Sequence, residues 1–178
     1  MSARVKLATV WLGGCSGCHM SFLDLDERLI ELASRVDLLA SPLVDTKTRD
    51  FPFVDATLVE GAVVNEEHVE MLHRVRERSK VLVAFGDCAV TGNVSAMRNA
   101  YPVQEVFDRA YRETSAVVKG VPAGDDIVPR LLPTVKPLHQ VVTVDLWLQG
   151  CPPSADHIWE AITSLLEGRA PRLEQRFG

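Results

Sequence analysis

The sequence lacks a basic run, a long apolar run and any low-complexity segment, and each absence excludes a class of protein. Lys and Arg form no stripe and the formal net charge is -5, so we expect no nucleic-acid partner. No stretch approaches the ~18 consecutive apolar residues of a membrane helix. The apolar run that starts at Val5 ends at Leu12, which is too short for a secretory signal. We therefore expect a cytoplasmic protein without membrane attachment.

The composition is that of an ordinary globular chain, with 47% apolar and 24% charged residues. A length of 178 residues suits one domain, so we expect residues 1–178 to form a single domain. The region at about 89–140 interrupts the pattern as a long irregular excursion with four prolines between 122 and 137. Because it joins two cysteine-bearing segments, we interpret it as an ordered lid and partner surface.

Apolar runs alternate with segments of helical periodicity along most of the chain. Predicted strands cover residues 5–12, 36–40, 56–59, 81–86 and 141–148. Predicted helices cover about 21–35, a segment capped by Asn65, 103–112, and 154 to the stop at Gly168. This alternation predicts an α/β fold, a doubly wound parallel sheet of the flavodoxin-like kind.

The four cysteines all follow predicted strands. Cys15 and Cys18 come after the first strand, Cys88 after the fourth and Cys151 after the last. The carboxyl ends of parallel strands meet at one edge of a sheet, where ligands bind. We therefore expect the four thiols to converge at one metal centre.

The spacing of the thiols favours an iron-sulfur cluster over other centres. A Cys-x-x-Cys pair alone also suits zinc, a redox dithiol or simple packing, but a dithiol leaves Cys88 and Cys151 unused. Structural zinc sites usually take ligands as two close pairs. A cubane accepts single distant ligands, and the Cys151-Pro152 step is typical of iron-sulfur loops. Glycines at 13, 14, 17, 86 and 150 would expose backbone N–H groups to cluster sulfurs and raise the potential.

Four stretches around these cysteines resemble the small subunit of NiFe hydrogenases, above all the cytoplasmic, bidirectional, NAD-reducing kind. They are WLGGCSGCHMSFLD at 11–24, EGAV at 60–63, GDCA at 86–89 and GCPP at 150–153. The resemblance implies that Cys15, Cys18, Cys88 and Cys151 bind one 4Fe-4S cluster, proximal to a NiFe site in a separate large subunit. It also implies electron relay to diaphorase subunits that carry FMN and iron-sulfur clusters and reduce NAD. The chain would then serve a hydrogen:NAD oxidoreductase without bond chemistry of its own.

Departures from related proteins refine this expectation. No cysteine follows Cys151, so we expect this chain to lack the medial and distal clusters of periplasmic hydrogenases and to pass electrons to another partner. A rival is the related cluster subunit of complex I-like quinone oxidoreductases, whose first motif has adjacent cysteines. Here Ser16 and Gly17 separate the first pair, which favours the hydrogenase. A zinc-stabilised interaction module is the third alternative.

Two residues beside the first cysteine pair invite a functional interpretation. Many family members carry Thr where this chain has Ser16, near the proton path from the NiFe site, so Ser16 is a candidate proton-path contact. We interpret His19 as a helix cap or a subunit contact rather than a ligand. The glycines of this turn resemble a phosphate loop, but cysteines occupy the turn, so we expect no second FMN in this chain.

Overall fold

A parallel sheet forms the centre of the protein. The computed structural model describes residues 4–44, 50–113, 120–122, 124, 127–169 and 171. Within these residues the strands are β1 Val5–Trp11, β2 Val36–Ala40, β3 Val54–Glu60, β4 Val63–Asn65, β5 Ser79–Phe85, β6 Leu131–Lys136 and β7 Leu146–Leu148. Five of them form one sheet in the order β2-β1-β3-β5-β7, with every neighbouring pair parallel. This is the flavodoxin-like strand order.

Helices cover both faces of this sheet. They are α1 Gly17–Leu23, α2 Arg28–Arg35, α3 Glu66–Glu77, α4 Asp87–Thr91, α5 Val103–Phe107 and α6 Ala155–Leu166. One core cluster joins the sheet to α1, α2 and α6 through residues such as Phe22, Leu32 and Ile158. The other joins it to α3 and α4 through Leu72 and Ala89. The predicted doubly wound α/β fold is confirmed, and no helix in the described part of the chain could span a membrane.

The interior strands are apolar on both faces, as burial between two helical layers requires. In β3, Leu58 and Val59 are fully buried although they point to opposite sides of the sheet. The predicted cap at Asn65 is present, and Ser154, where the last predicted helix begins, is also a cap. The Asn65 side chain accepts a hydrogen bond from the backbone N–H of His68, and Ser154 does the same for His157.

The predicted helix over 21–35 is two helices in the structure. The chain turns between α1 and α2, where Asp26 has a φ of 50°. Leu25 lies in this turn and is almost fully buried. Its apolar side chain continues the helical pattern of both α1 and α2. The periodicity of apolar residues alone therefore could not show where the first helix ends and the second begins.

The predicted strand over 141–148 is also shorter than expected. Residues Leu138–Gln140 form a 3₁₀ turn, and strand pairing begins only at Leu146. Before it, the Asp145 carboxylate accepts the backbone N–H of Leu82 at 2.7 Å, and the Asp145 N–H donates to the Leu82 carbonyl at 3.0 Å. The Asp145 carboxylate therefore accepts the Leu82 N–H, where a backbone carbonyl of β7 would accept it if the strand were longer.

The excursion at about 89–140 contains more regular structure than predicted. A 3₁₀ helix covers Asn93–Ala100, and the predicted helix over 103–112 appears as α5 followed by a wider turn at Asp108–Glu113. Strand β6 pairs antiparallel with β4 and was missed because Pro133 lies inside it, which a two-stranded ribbon tolerates. Residues 114–119, 123 and 125–126 lie outside the described part. The single-domain extent of 1–178 stays a prediction.

We expect Asp145→Ala to destabilise the protein by about 1–3 kcal/mol, because it leaves the N–H of Leu82 without its acceptor. Asp145→Asn keeps a side-chain oxygen at that position and should cost less. Asp156→Ala is the control, since Asp156 is 84% exposed in its ion pair with Arg28 and should matter by under about 1 kcal/mol. Urea unfolding measures all three. Equal midpoints for Asp145→Ala and Asp156→Ala would contradict the structural role of Asp145.

Candidate iron-sulfur centre

The three cysteine-bearing loops lie at the same edge of the sheet. Cys15 and Cys18 follow β1, Cys88 lies in α4 directly after β5, and Cys151 follows β7. Since β1, β5 and β7 run in the same direction, their carboxyl ends share one edge. Burial first and the negative Glu60 second raise the pKa of the Cys18 thiol, and the nearby thiols of Cys88, Cys15 and Cys151 raise it further. The structure thus brings the four predicted residues together.

The four thiols differ in their access to solvent. Cys18 is buried, Cys88 is intermediate, and Cys15 and Cys151 are exposed. Their arrangement therefore opens from the protein interior toward the surface. A redox group held by this set would be reachable from a partner protein.

Gly86 leaves the space that the Cys18 thiol fills. Its backbone has φ 84° and ψ 165°, a combination that is essentially restricted to glycine. A Cβ atom at this position would lie 2.1 Å from the Sγ atom of Cys18. Any larger residue would displace that thiol from the edge.

Asp87 connects the Cys88 loop to the Cys151 loop. Its backbone N–H donates to the Gly150 carbonyl at 2.9 Å. Its carboxylate accepts the Gly150 N–H at 2.8 Å, so two hydrogen bonds join the two loops. These contacts fix the separation of two thiols that are far apart in sequence.

A buried carboxylate holds the first cysteine loop. Glu60 is 2% exposed at the end of β3 and accepts the backbone N–H groups of Cys18 at 3.3 Å and His19 at 2.9 Å. The Nδ1 atom of His19 also bonds to Glu60, and its Nε2 lies 3.0 Å from the Thr9 hydroxyl. That hydroxyl in turn donates to Ser41 at 2.7 Å. A polar chain therefore runs from the cysteine loop into the core.

The interpretation of His19 as a cap or subunit contact is wrong. Its side chain is buried inside this chain and faces Glu60 and Thr9, so it cannot meet another subunit. Sequence reasoning also missed Glu60 as a functional residue. Its signals were its place in the EGAV stretch at 60–63 and a carboxylate directly after the apolar end of a strand.

Several donors point at the cysteine sulfurs. The backbone N–H of Gly17 lies 3.4 Å from the Sγ of Cys15, and the side-chain amide of Asn93 lies 3.4 Å from the Sγ of Cys151. Burial raises the pKa of Cys88, while hydrogen bonds from Ser95 counteract that rise. Such donors stabilise negative charge on sulfur.

The donor set fits a multi-iron cluster better than one ion. Zinc bonds of about 2.3 Å to sulfur place tetrahedral thiolates about 3.8 Å from one another. Among the described residues, no group of three or more His, Cys, Asp or Glu side chains is arranged to hold a single metal ion. Four free thiols at one sheet edge supply the Cys₄ ligand set of a cubane.

Ser16 occupies the turn between the paired cysteines. It has φ 65° and ψ 7°, a left-handed conformation that is uncommon outside glycine. Its hydroxyl donates to the Cys15 carbonyl at 2.6 Å. The hydroxyl proton is therefore engaged, while the oxygen can still accept.

Comparison with known proteins identifies the family. The model of the family described as NADH ubiquinone oxidoreductase, 20 Kd subunit, matches residues 15–165. The chain is 42% identical to the delta subunit of the NAD-reducing hydrogenase HoxS of Cupriavidus necator over 170 residues, which cover 93% of this chain and 80% of that protein. The chain belongs to this family, as a homologue of the small subunits of NAD-reducing NiFe hydrogenases.

Two further comparisons agree with the hydrogenase branch of the family. A crystal structure of an NAD⁺-reducing NiFe-hydrogenase in the H₂-reduced state superposes with a TM-score of 0.93 at 40% identity, covering 99% of this chain and 100% of that chain. A subunit of the F420-non-reducing hydrogenase of Methanothermobacter thermautotrophicus is 39% identical over 178 residues, which cover 98% of this chain. This chain spans 58% of the length of that archaeal relative.

For this hydrogenase homologue we expect Gly86→Ala to abolish iron incorporation, because the new methyl group occupies the position of the Cys18 thiol. Gly168→Ala is the matched control, since Gly168 also has positive φ, 68°, but nothing lies within 4 Å of its added Cβ. The control should lose about 1–2 kcal/mol of stability and keep its iron. Iron per chain after purification is the measurement. Normal iron in Gly86→Ala would show that the thiol position is not critical.

Proposed function

We propose that the chain is the electron-transfer small subunit of an NAD-reducing NiFe hydrogenase, an oxidoreductase complex. Cys15, Cys18, Cys88 and Cys151 would hold one 4Fe-4S cluster proximal to the NiFe site. The observation that carries this proposal is the convergence of four thiols at one sheet edge. The proposal is further supported by the homology to NAD-reducing hydrogenase subunits.

When bound, the cluster supplies one-electron transfer between the NiFe site and the diaphorase module. The protein residues position it and control its surroundings. Glu60 holds the loop of Cys15 and Cys18 against β3, and Asp87 keeps Cys88 and Cys151 at a fixed separation. Because thiolates are the ligands, the burial that raises the pKa of Cys18 makes cluster binding release a proton there.

We infer two kinds of partner: a large subunit with the NiFe centre, and diaphorase subunits with FMN and iron-sulfur clusters that bind NAD. Exposed apolar side chains near the cysteines support a protein partner at this edge. Met20 follows Cys18 and is 54% exposed, while Val94 and Met97 follow Cys88 and are 63% and 71% exposed. We propose a cytoplasmic complex in which 1–178 acts as one unit, without a second FMN in this chain.

A complex I-like quinone oxidoreductase is the second candidate, because the matching family model carries the description of the 20 Kd subunit of NADH ubiquinone oxidoreductase. The two candidates differ in the electron donor. A purified complex that reduces NAD with hydrogen supports the first. Copurification without nickel, together with NADH-dependent quinone reduction, would support the second.

We predict that Cys88→Ser removes most of the iron and acid-labile sulfide assigned to this subunit, since serine oxygen is a poor substitute for a cluster thiolate. Cysteines do not occur elsewhere in the sequence, so a matched serine control does not exist within the chain. Ser34→Ala, at an exposed site on α2, controls for expression and handling. Iron and sulfide analysis of the purified complex is the measurement. Unchanged contents in Cys88→Ser would refute the ligand assignment.

We predict that Ser16→Ala lowers hydrogen oxidation by roughly tenfold to a hundredfold while cluster content stays normal, because the hydroxyl oxygen would accept a hydrogen bond from the group that carries the proton in the rate-limiting transfer. Ala preserves the size of the side chain and removes only the hydroxyl. The solvent isotope effect should change with the rate, whereas Ser34→Ala should alter neither. A wild-type rate with an unchanged isotope effect would leave Ser16 as a turn residue.

A further inference from the structure

We infer that the side-chain amide of Asn93 donates a hydrogen bond to the Sγ atom of Cys151 and thereby raises the reduction potential of the cluster. This inference rests on the proposed function, because it requires a cluster at the four thiols. Asn93 acts through Cys151 and is therefore a positioning residue rather than a ligand.

The backbone around Asn93 directs its side chain toward Cys151. Gly92 has φ 88° and Asn93 has φ 36°, so two consecutive residues with positive φ reverse the chain after α4. The reversal is closed by the Gly92 N–H, which donates to the Cys88 carbonyl at 3.0 Å. The amide nitrogen of Asn93 then lies 3.4 Å from the sulfur of a loop that is 58 residues away in sequence.

The positive φ of Asn93 indicates that its side chain, and not its backbone, is the reason for an asparagine at this position. A positive φ costs little for glycine and more for other residues, although Asn tolerates it better than most. Glycine would therefore satisfy the backbone at position 93 without any side chain. What the Asn side chain adds is an N–H donor aimed at a sulfur that is itself exposed.

The charges around the thiols explain why such a donor matters. Four thiolates and the buried Glu60 carboxylate concentrate negative charge at this edge, which disfavours adding an electron. A hydrogen bond to sulfur stabilises the more negative, reduced state and moves the potential upward. Cys15 has the Gly17 N–H as a comparable donor. Asn93 provides the side-chain donor for Cys151.

The test compares Asn93→Gly and Asn93→Asp with the wild type in the purified complex. Gly keeps the backbone conformation and removes the donor, while Asp keeps the side-chain size and replaces the donor with a negative charge. We expect the one-electron equilibrium constant for reduction to fall about threefold to tenfold in the Gly variant, which corresponds to roughly 30–60 mV. The Asp variant should fall further. A redox titration followed by electron paramagnetic resonance measures the potentials.

Ser34→Asp controls for the added charge. Ser34 lies near the end of α2, just before β2 begins, and so belongs to the opposite edge of the sheet. Its variant should keep the wild-type potential. If the Gly variant loses iron, Asn93→Leu, which is close to Asn in size and carries neither donor nor charge, takes its place in the titration.

The outcomes separate the two levels of the proposal. Potentials in the order wild type, Gly variant, Asp variant, with normal iron, support the role of Asn93. Equal potentials in all three with normal iron overturn it and leave the cluster assignment intact. If the wild-type complex has no 4Fe-4S signal that disappears in Cys88→Ser, the proposed function is overturned, and the inference with it.

Discussion

The buried carboxylate of Glu60 joins the first cysteine loop to the middle of the sheet. It ends β3, the strand between β1 and β5, and accepts hydrogen bonds from the backbone of Cys18 and His19. A buried charge is costly unless it is paired, and Glu60 is paired with these N–H groups and with the His19 ring. Removing the Glu60 carboxylate would leave the two N–H groups and the His19 ring without this partner in the core. The position of Cys18 therefore depends on packing deep inside the protein.

The other two cysteine loops are held by simpler means. Gly86 permits close approach of the Cys18 thiol, and Asp87 joins its own loop to Gly150. The result is a rigid inner edge near Cys18 and an open outer edge at Cys15 and Cys151. Such an arrangement excludes water from one side of a redox group while leaving the other side for a partner. The negative charge of Glu60 disfavours reduction of such a group, and hydrogen bonds to the cysteine sulfurs offset this effect.

Much of this architecture could be predicted because it follows from strong local signals. The apolar strands β1, β3 and β5 are continuous, and their alternation with helices determines the sheet direction and hence the convergence of the thiols. The helix break at Asp26 and the strand that contains Pro133 lacked such signals. At both places tertiary packing overrides the local preference of the sequence. Glu60, His19 and Asn93 were not predicted to form these contacts because each bonds to a residue distant in sequence. Only the folded chain brings those partners together.

Mössbauer spectroscopy of the ⁵⁷Fe-labelled complex tests most directly whether the four cysteines bind one cubane cluster. Comparison with the Cys-to-Ser variants isolates the contribution of this chain. Four thiols that converge on one cubane predict about four iron atoms per chain in a single 4Fe-4S spectral component. Zinc in place of iron, or a component of one or two iron atoms assigned to this chain, would contradict that claim.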